Sequence, residues 1–229
     1  YSEGPHEGTA KGSAVGLQEQ TGTLLNTANE AVSATTIADL QAHACNFVNA
    51  AEGSAGANFS ASCDNPGDGH GALVYAADVA AEADAAAGAT DTNITSNAAG
   101  VAISARNVTT WISDARDNAV LASNTSDLTV AQTYMVNAQT LANRSLTGFD
   151  ADRNGSIGSI VGEGGARQAY IGAQNMAEYA PTVLTGDAAL PKSGDVNLGF
   201  AALMALVAGV AMITVGGLVL YNRTRMAKS

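Results

Sequence analysis

The sequence predicts an all-α protein: an elongated helical bundle with coiled-coil-like packing, followed by one C-terminal transmembrane helix. Three observations predict it. Apolar residues recur at intervals of three and four through most of residues 13–146. Alternating Val, Ile, Thr and Tyr runs bounded by turns, the mark of half-buried strands, are scarce. Leu198 to Tyr221 is a run of 24 residues without a charge. At about 1.5 Å per residue such a helix is ~36 Å long, enough to cross a ~30 Å hydrocarbon core with some tilt.

Residues 1–12 are polar and Gly-rich and read as a flexible N-terminus. The chain starts at Tyr1 with no apolar leader, and an exported N-terminus needs a signal, so the expectation is a mature form whose leader has been removed. The helical region spans 13–180. Its first helical pattern starts near Ser13, with Leu25, Ala28, Val32, Leu40, Ala44 and Phe47 on a common repeat, and fails near Gly53. Residues 53–70 end in "CDNPGDGH", whose Pro66, Gly67 and Gly69 break regular structure. Cys45 and Cys63 are the only cysteines, and an even count outside a membrane predicts one disulfide across this loop.

A second helix starts near Gly71, rich in alanine. The clearest repeat follows: Ile94, Ala98, Val101, Ala105, Val108, Ile112, Ala115 and Ala119 alternate by four and three, a seam with alanine at half its positions. Ile103 and Trp111 lie off it and suit a second neighbouring helix. "NTSD" at 124–127 offers Ser126 or Asp127 as the cap of a helix over about 128–146, with Ala131, Met135, Ala138 and Ala142 on one face. A shorter helix is expected over about 166–179, stopped by Pro181. Residues 181–197 read as a stalk. Behind the apolar run of 198–221 stand Arg223, Arg225 and Lys228 in an internal tail, 222–229; the excess of Lys and Arg on that side places the C-terminus inside and the bundle outside.

The formal net charge is −11, with 21 Asp plus Glu against 10 Lys plus Arg. That balance opposes nucleic-acid binding, which needs a basic face. The Lys-poor acidic composition resembles that of surface proteins from hypersaline organisms, including haloarchaea and their viruses. The resemblance implies a surface that needs salt to screen its self-repulsion.

Between two expected helices lies "FDADRNGSIGSIVGE". Asp150, Asp152 and Asn154 alternate, and Gly155, Ser156 and Ile157 follow. The stretch resembles the start of an EF-hand or dockerin-type calcium loop. The resemblance implies Asp150, Asp152, Asn154 and the carbonyl of Ser156 as ligands of a structural Ca2+, with Gly155 at the sharp turn. Position 12 of that pattern, where a bidentate Glu belongs, is Val161; Glu163 stands two residues further on. Six N-x-S/T sequons precede the apolar run, at Asn58, Asn93, Asn107, Asn124, Asn143 and Asn154. The first five are candidates for N-linked glycans, and Asn154 is assigned to the calcium loop instead. Asn93 and Asn107 share heptad position c, which predicts an outward face.

His6, His43 and His70 have no metal-ligand spacing, no serine stands in a nucleophile elbow, and "GEGGAR" lacks the strand and the Lys of a phosphate loop. The expectation is therefore not an enzyme. It is a single-pass surface glycoprotein acting as a structural or interaction component of a cell or viral envelope, in contact with the bilayer, with copies of itself or with other envelope proteins, and suited to adhesion or host recognition. The alternative is an accessory subunit of a larger membrane complex.

Overall fold

A computed structural model describes residues 12–177. The readings of the N-terminus through residue 11, of the stalk, of the apolar run at 198–221 and of the tail lie outside those residues. The chain divides into two units, Tyr1–Ala180 and Pro181–Ser229, and the fold described here belongs to the first.

Six helices and no strand form the described residues: α1 (Ser13–Ser33), α2 (Ile37–Glu52), α3 (Ala72–Ala86), α4 (Thr92–Ser123), α5 (Leu128–Thr147) and α6 (Ala166–Ala177). Where the sequence predicted one helix from Ser13 to Gly53, there are two. The break falls at Ala34–Thr36, and its cause is local. Thr36 accepts the Asp39 N–H at 3.1 Å and donates its hydroxyl to the Asp39 carboxylate at 2.7 Å, a reciprocal cap that starts α2 afresh. Such polar residues compete with the helix backbone more strongly than an apolar repeat can signal. The caps of α4 and α5 are Asp91, which accepts the N–H groups of Asn93 and Ile94, and Asp127, which accepts that of Val130.

The longest helix, α4, packs against α2, α3, α5 and α6, while α1 packs against α2, α3, α5 and α6. From Ala98 to Ala119 the predicted seam is buried, and Ile94 is half-buried. A helix with four neighbours buries more than one stripe, so Ala102, Ser104, Asn107, Trp111 and Ala122 are buried too. The large buried side chains are few: Leu17, Leu24, Leu40, Phe47, Tyr75, Val108, Ile112 and Met135 lead them. Small residues make the close approaches. The Tyr75 ring lies where a Cβ on Gly16 would stand, so α1 and α3 meet there only because residue 16 has no side chain.

Cys45 and Cys63 form the predicted disulfide. Beside it, buried Asn49 donates its amide to the carbonyls of Ser60, Cys63 and Asp64 and accepts the Ser60 N–H at 2.8 Å. One side chain thus satisfies four backbone groups of a loop with little apolar content. Replacing both cysteines by serine is expected to lower stability by about 3 kcal/mol, mainly by freeing the unfolded chain. Urea denaturation followed by circular dichroism reads this loss, with the helical signal of the folded state unchanged.

The end of α2 is tied to the C-terminal part of α4 by an ion pair between buried Glu52 and half-buried Arg116. Arg116 donates to Glu52 Oε1. Asn58 donates its backbone N–H to Oε2 at 2.6 Å and its amide to Oε1 at 2.7 Å. Burial on its own pushes the Glu52 carboxyl up; the Asn58 hydrogen bonds and the Arg116 guanidinium outweigh it and hold the group below the usual carboxylate range.

Candidate metal centre

Helix α5 ends at Gly148, which takes a left-handed φ of 83° while its N–H still bonds the Arg144 carbonyl. The chain then turns into the acidic loop. Phe149 N–H donates to the Glu163 carbonyl at 2.9 Å and so pins the two ends of the loop together. Within it, Asp150 accepts the N–H groups of Asn154 at 3.1 Å and Gly155 at 2.9 Å. Asp152 accepts the Asn154 N–H at 3.0 Å. Arg153 and Gly155 both have positive φ, 59° and 87°, which produces the sharp turn assigned to Gly155.

Glu163 completes the site. Its side chain is almost fully buried, at 1% exposure. One carboxylate oxygen accepts the Asp152 N–H at 3.3 Å and the other the Gly158 N–H at 3.0 Å. One carboxylate oxygen from each of Asp150, Asp152 and Glu163 lies within 4.8 Å of the others. Val161, at the position where the EF-hand pattern places its acid, points away and is 81% exposed. The chain reaches Glu163 by a tight turn in which the N–H groups of Glu163 and Gly164 both bond the Ile160 carbonyl. That turn brings the Glu163 carboxylate beside those of Asp150 and Asp152.

Three hard carboxylates around one point suit a cation such as Ca2+, which takes six to eight oxygens. Of the other two assigned ligands, the Asn154 side chain is engaged within the loop, its Oδ1 accepting both the N–H and the hydroxyl of Ser156, whereas the Ser156 carbonyl, the group assigned as ligand, takes no part in that pairing. The Asn154 amide donates to Asp152 at 2.8 Å. The loop thus brings together the two predicted aspartates and the glutamate that the pattern had left out of register. His43 and His70 lie on other elements, near Glu30 and Asp78 respectively, and His6 lies outside the described residues.

The turn that carries Glu163 is held to α4 by Asn107. Its amide donates to the carbonyls of Ile160 at 2.8 Å and Gly164 at 3.1 Å, and its Oδ1 accepts the Gly162 N–H at 2.9 Å. This corrects the expectation for Asn107 as a glycan site. Heptad position c faces outward on a two-helix seam, but α4 is central and the loop covers that face. With the residue 8% exposed and its amide nitrogen spent on two carbonyls, a sugar there is incompatible with the fold. Asn93 is half-buried and its amide donates to the Asn175 carbonyl of α6. Asn58, Asn124 and Asn143 are exposed; the amides of the first two donate to Glu52 and to the Val120 carbonyl.

No family model, curated protein or solved structure matches the chain.

Proposed function

We propose that the chain is a structural or interaction component of an envelope, anchored by Leu198–Tyr221, with the bundle outside and residues 222–229 inside. The observation that carries this reading is the charge-free run itself, with Arg223, Arg225 and Lys228 directly behind it. Among the described residues no helix is long and apolar enough to cross a membrane, so the anchor rests on residues 198–221. The disulfide supports an oxidising, external setting for the bundle. Asn58, Asn124 and Asn143, exposed on the bundle, suit N-linked glycans. The acidic loop serves as a structural Ca2+ site that staples the α5–α6 connection to α4. The bundle presents an acidic outer surface, and its partners are the bilayer and other envelope proteins or copies of itself.

A second reading, an accessory subunit docked on a larger membrane complex, is favoured by the exposed apolar side chains around the metal loop, Ile157, Ile160, Val161 and Ile171. Alkaline carbonate extraction of native membranes tests the anchor. The chain is expected to stay in the pellet; its release into the supernatant would count against a spanning helix.

A further inference from the structure

We propose that Asn154–Gly155 is a self-modification site. The loop folds the Asn154 side chain onto its own backbone, so that the Gly155 nitrogen closes on Cγ and expels ammonia; water then opens the ring and leaves a carboxylate at position 154. This is the only Asn-Gly pair in the 229 residues. A following glycine gives the attacking nitrogen its least hindered approach, because it has no Cβ. A Cβ added at Gly155 would meet nothing within 4 Å, so there is room for the ring, and residues 154–156 are all exposed, so water reaches it.

The hydrogen bonds of the loop supply each part of the step. Asn154 Oδ1 accepts the Ser156 N–H at 2.8 Å, an Asx turn that lays the side-chain amide over the intervening Gly155 nitrogen. The Ser156 hydroxyl donates to the same oxygen at 2.7 Å. When the nitrogen adds to Cγ, negative charge collects on Oδ1, and these two donors already point at it. The Gly155 N–H donates to Asp150 Oδ2 at 2.9 Å, so a carboxylate is placed to take the proton. The leaving group is held as well, Nδ2 donating to Asp152 Oδ2 at 2.8 Å. Buried Asn49 and Asn107 are held as firmly, but they precede Ala50 and Val108, and their amides bond carbonyls of distant loops.

In the first stage the Gly155 N–Cγ bond forms, the Cγ–Nδ2 bond breaks, and the Gly155 proton leaves with ammonia by way of Asp150. Water then adds to one of the two ring carbonyls. Addition at Cγ gives an aspartyl residue; addition at the backbone carbon gives an isoaspartyl residue, whose main chain runs through the side-chain carbon. Either product adds one negative charge to the formal −11. In the aspartyl product the donor to Asp152 is lost and carboxylates alternate at 150, 152 and 154. A hard cation gains a further charged ligand there; that consequence rests on the calcium reading above, whereas the ring closure does not.

The test is incubation of the full chain in mild detergent with chelator at neutral pH, folded and in urea, followed by peptide mapping by mass spectrometry. Digestion in heavy-oxygen water marks any conversion that occurs during digestion. The expected result is amide-to-acid conversion at Asn154 ahead of every other asparagine, faster in the folded chain than in urea. Ser156→Ala and Asp150→Asn should each slow the folded chain about tenfold, by removing an oxyanion donor and the proton acceptor, and leave the rate in urea unchanged. Both variants are compared with the parent by circular dichroism; Ser156 is exposed, so its replacement leaves the fold intact. A folded rate no higher than the rate in urea overturns the proposal, because the loop would then guard Asn154. A folded Ser156→Ala rate equal to that of the parent overturns it too. So does a glycan on Asn154 in the native chain, since Nδ2 is then substituted.

Discussion

Arg116→Ala is expected to destabilise the bundle by about 3–5 kcal/mol, because it leaves the Glu52 carboxylate buried without its cation. Glu52 retains the two Asn58 hydrogen bonds, yet those come from a neutral group. Urea denaturation of the parent and the variant reads the difference. The double variant Glu52→Gln/Arg116→Ala should recover part of the loss, since the amide needs no counter-charge. The same pair sets a pH dependence. The folded-state pKa of Glu52 lies below its unfolded value, so its contribution is complete above the unfolded pKa and disappears as pH falls through the folded one. Acid should therefore narrow the gap between parent and Arg116→Ala. A gap that stayed constant down to the acid transition would show that the pair does not act through charge.

Calcium should raise the melting temperature of the parent protein by about 5–10 °C at ~10 mM. The figure follows from a dissociation constant near ~0.1 mM, typical of extracellular sites, and from roughly 2.7 kcal/mol of stabilisation at a hundredfold excess. Asp150→Ala and Glu163→Gln should each abolish the shift. In chelator the order changes. Three carboxylates within 4.8 Å of one another repel when no cation lies between them, so Glu163→Gln should be at least as stable as the parent there. A glutamate that served only as a hydrogen-bond acceptor for Asp152 and Gly158 would give the same loss with and without calcium. Calorimetric scans of both proteins in calcium and in chelator separate the two roles.

These residues also show what was legible in the sequence and what was not. Helix α5 was readable to within a few residues, and the seam of α4 residue by residue, because a buried stripe on a regular helix leaves a period of its own; the break at residues 87–91 between α3 and α4 was not marked. The break at Ala34–Thr36 was not, because apolar spacing carries across it and only the Thr36–Asp39 cap marks it. The disulfide followed from a count of two. Asp150, Asp152 and the turn at Gly155 were visible because alternate carboxylates on a tight turn need a fixed short spacing. Glu163 was not assigned, since its arrival depends on the turn at Ile160–Gly164 and on Asn107 of α4, fifty-odd residues away in the chain. Asn107 was misjudged for the same reason. Heptad position describes one helix against one neighbour, and α4 has four.

The central claim, a bundle held outside a membrane by Leu198–Tyr221, is tested most directly by protease added to sealed native membranes or particles. The account predicts cleavage within residues 181–197, release of a soluble bundle retaining Cys45–Cys63, and a protected membrane-bound fragment carrying residues 222–229. A bundle that survives until the membrane is opened by detergent, with the C-terminal tail digested from outside, would contradict it.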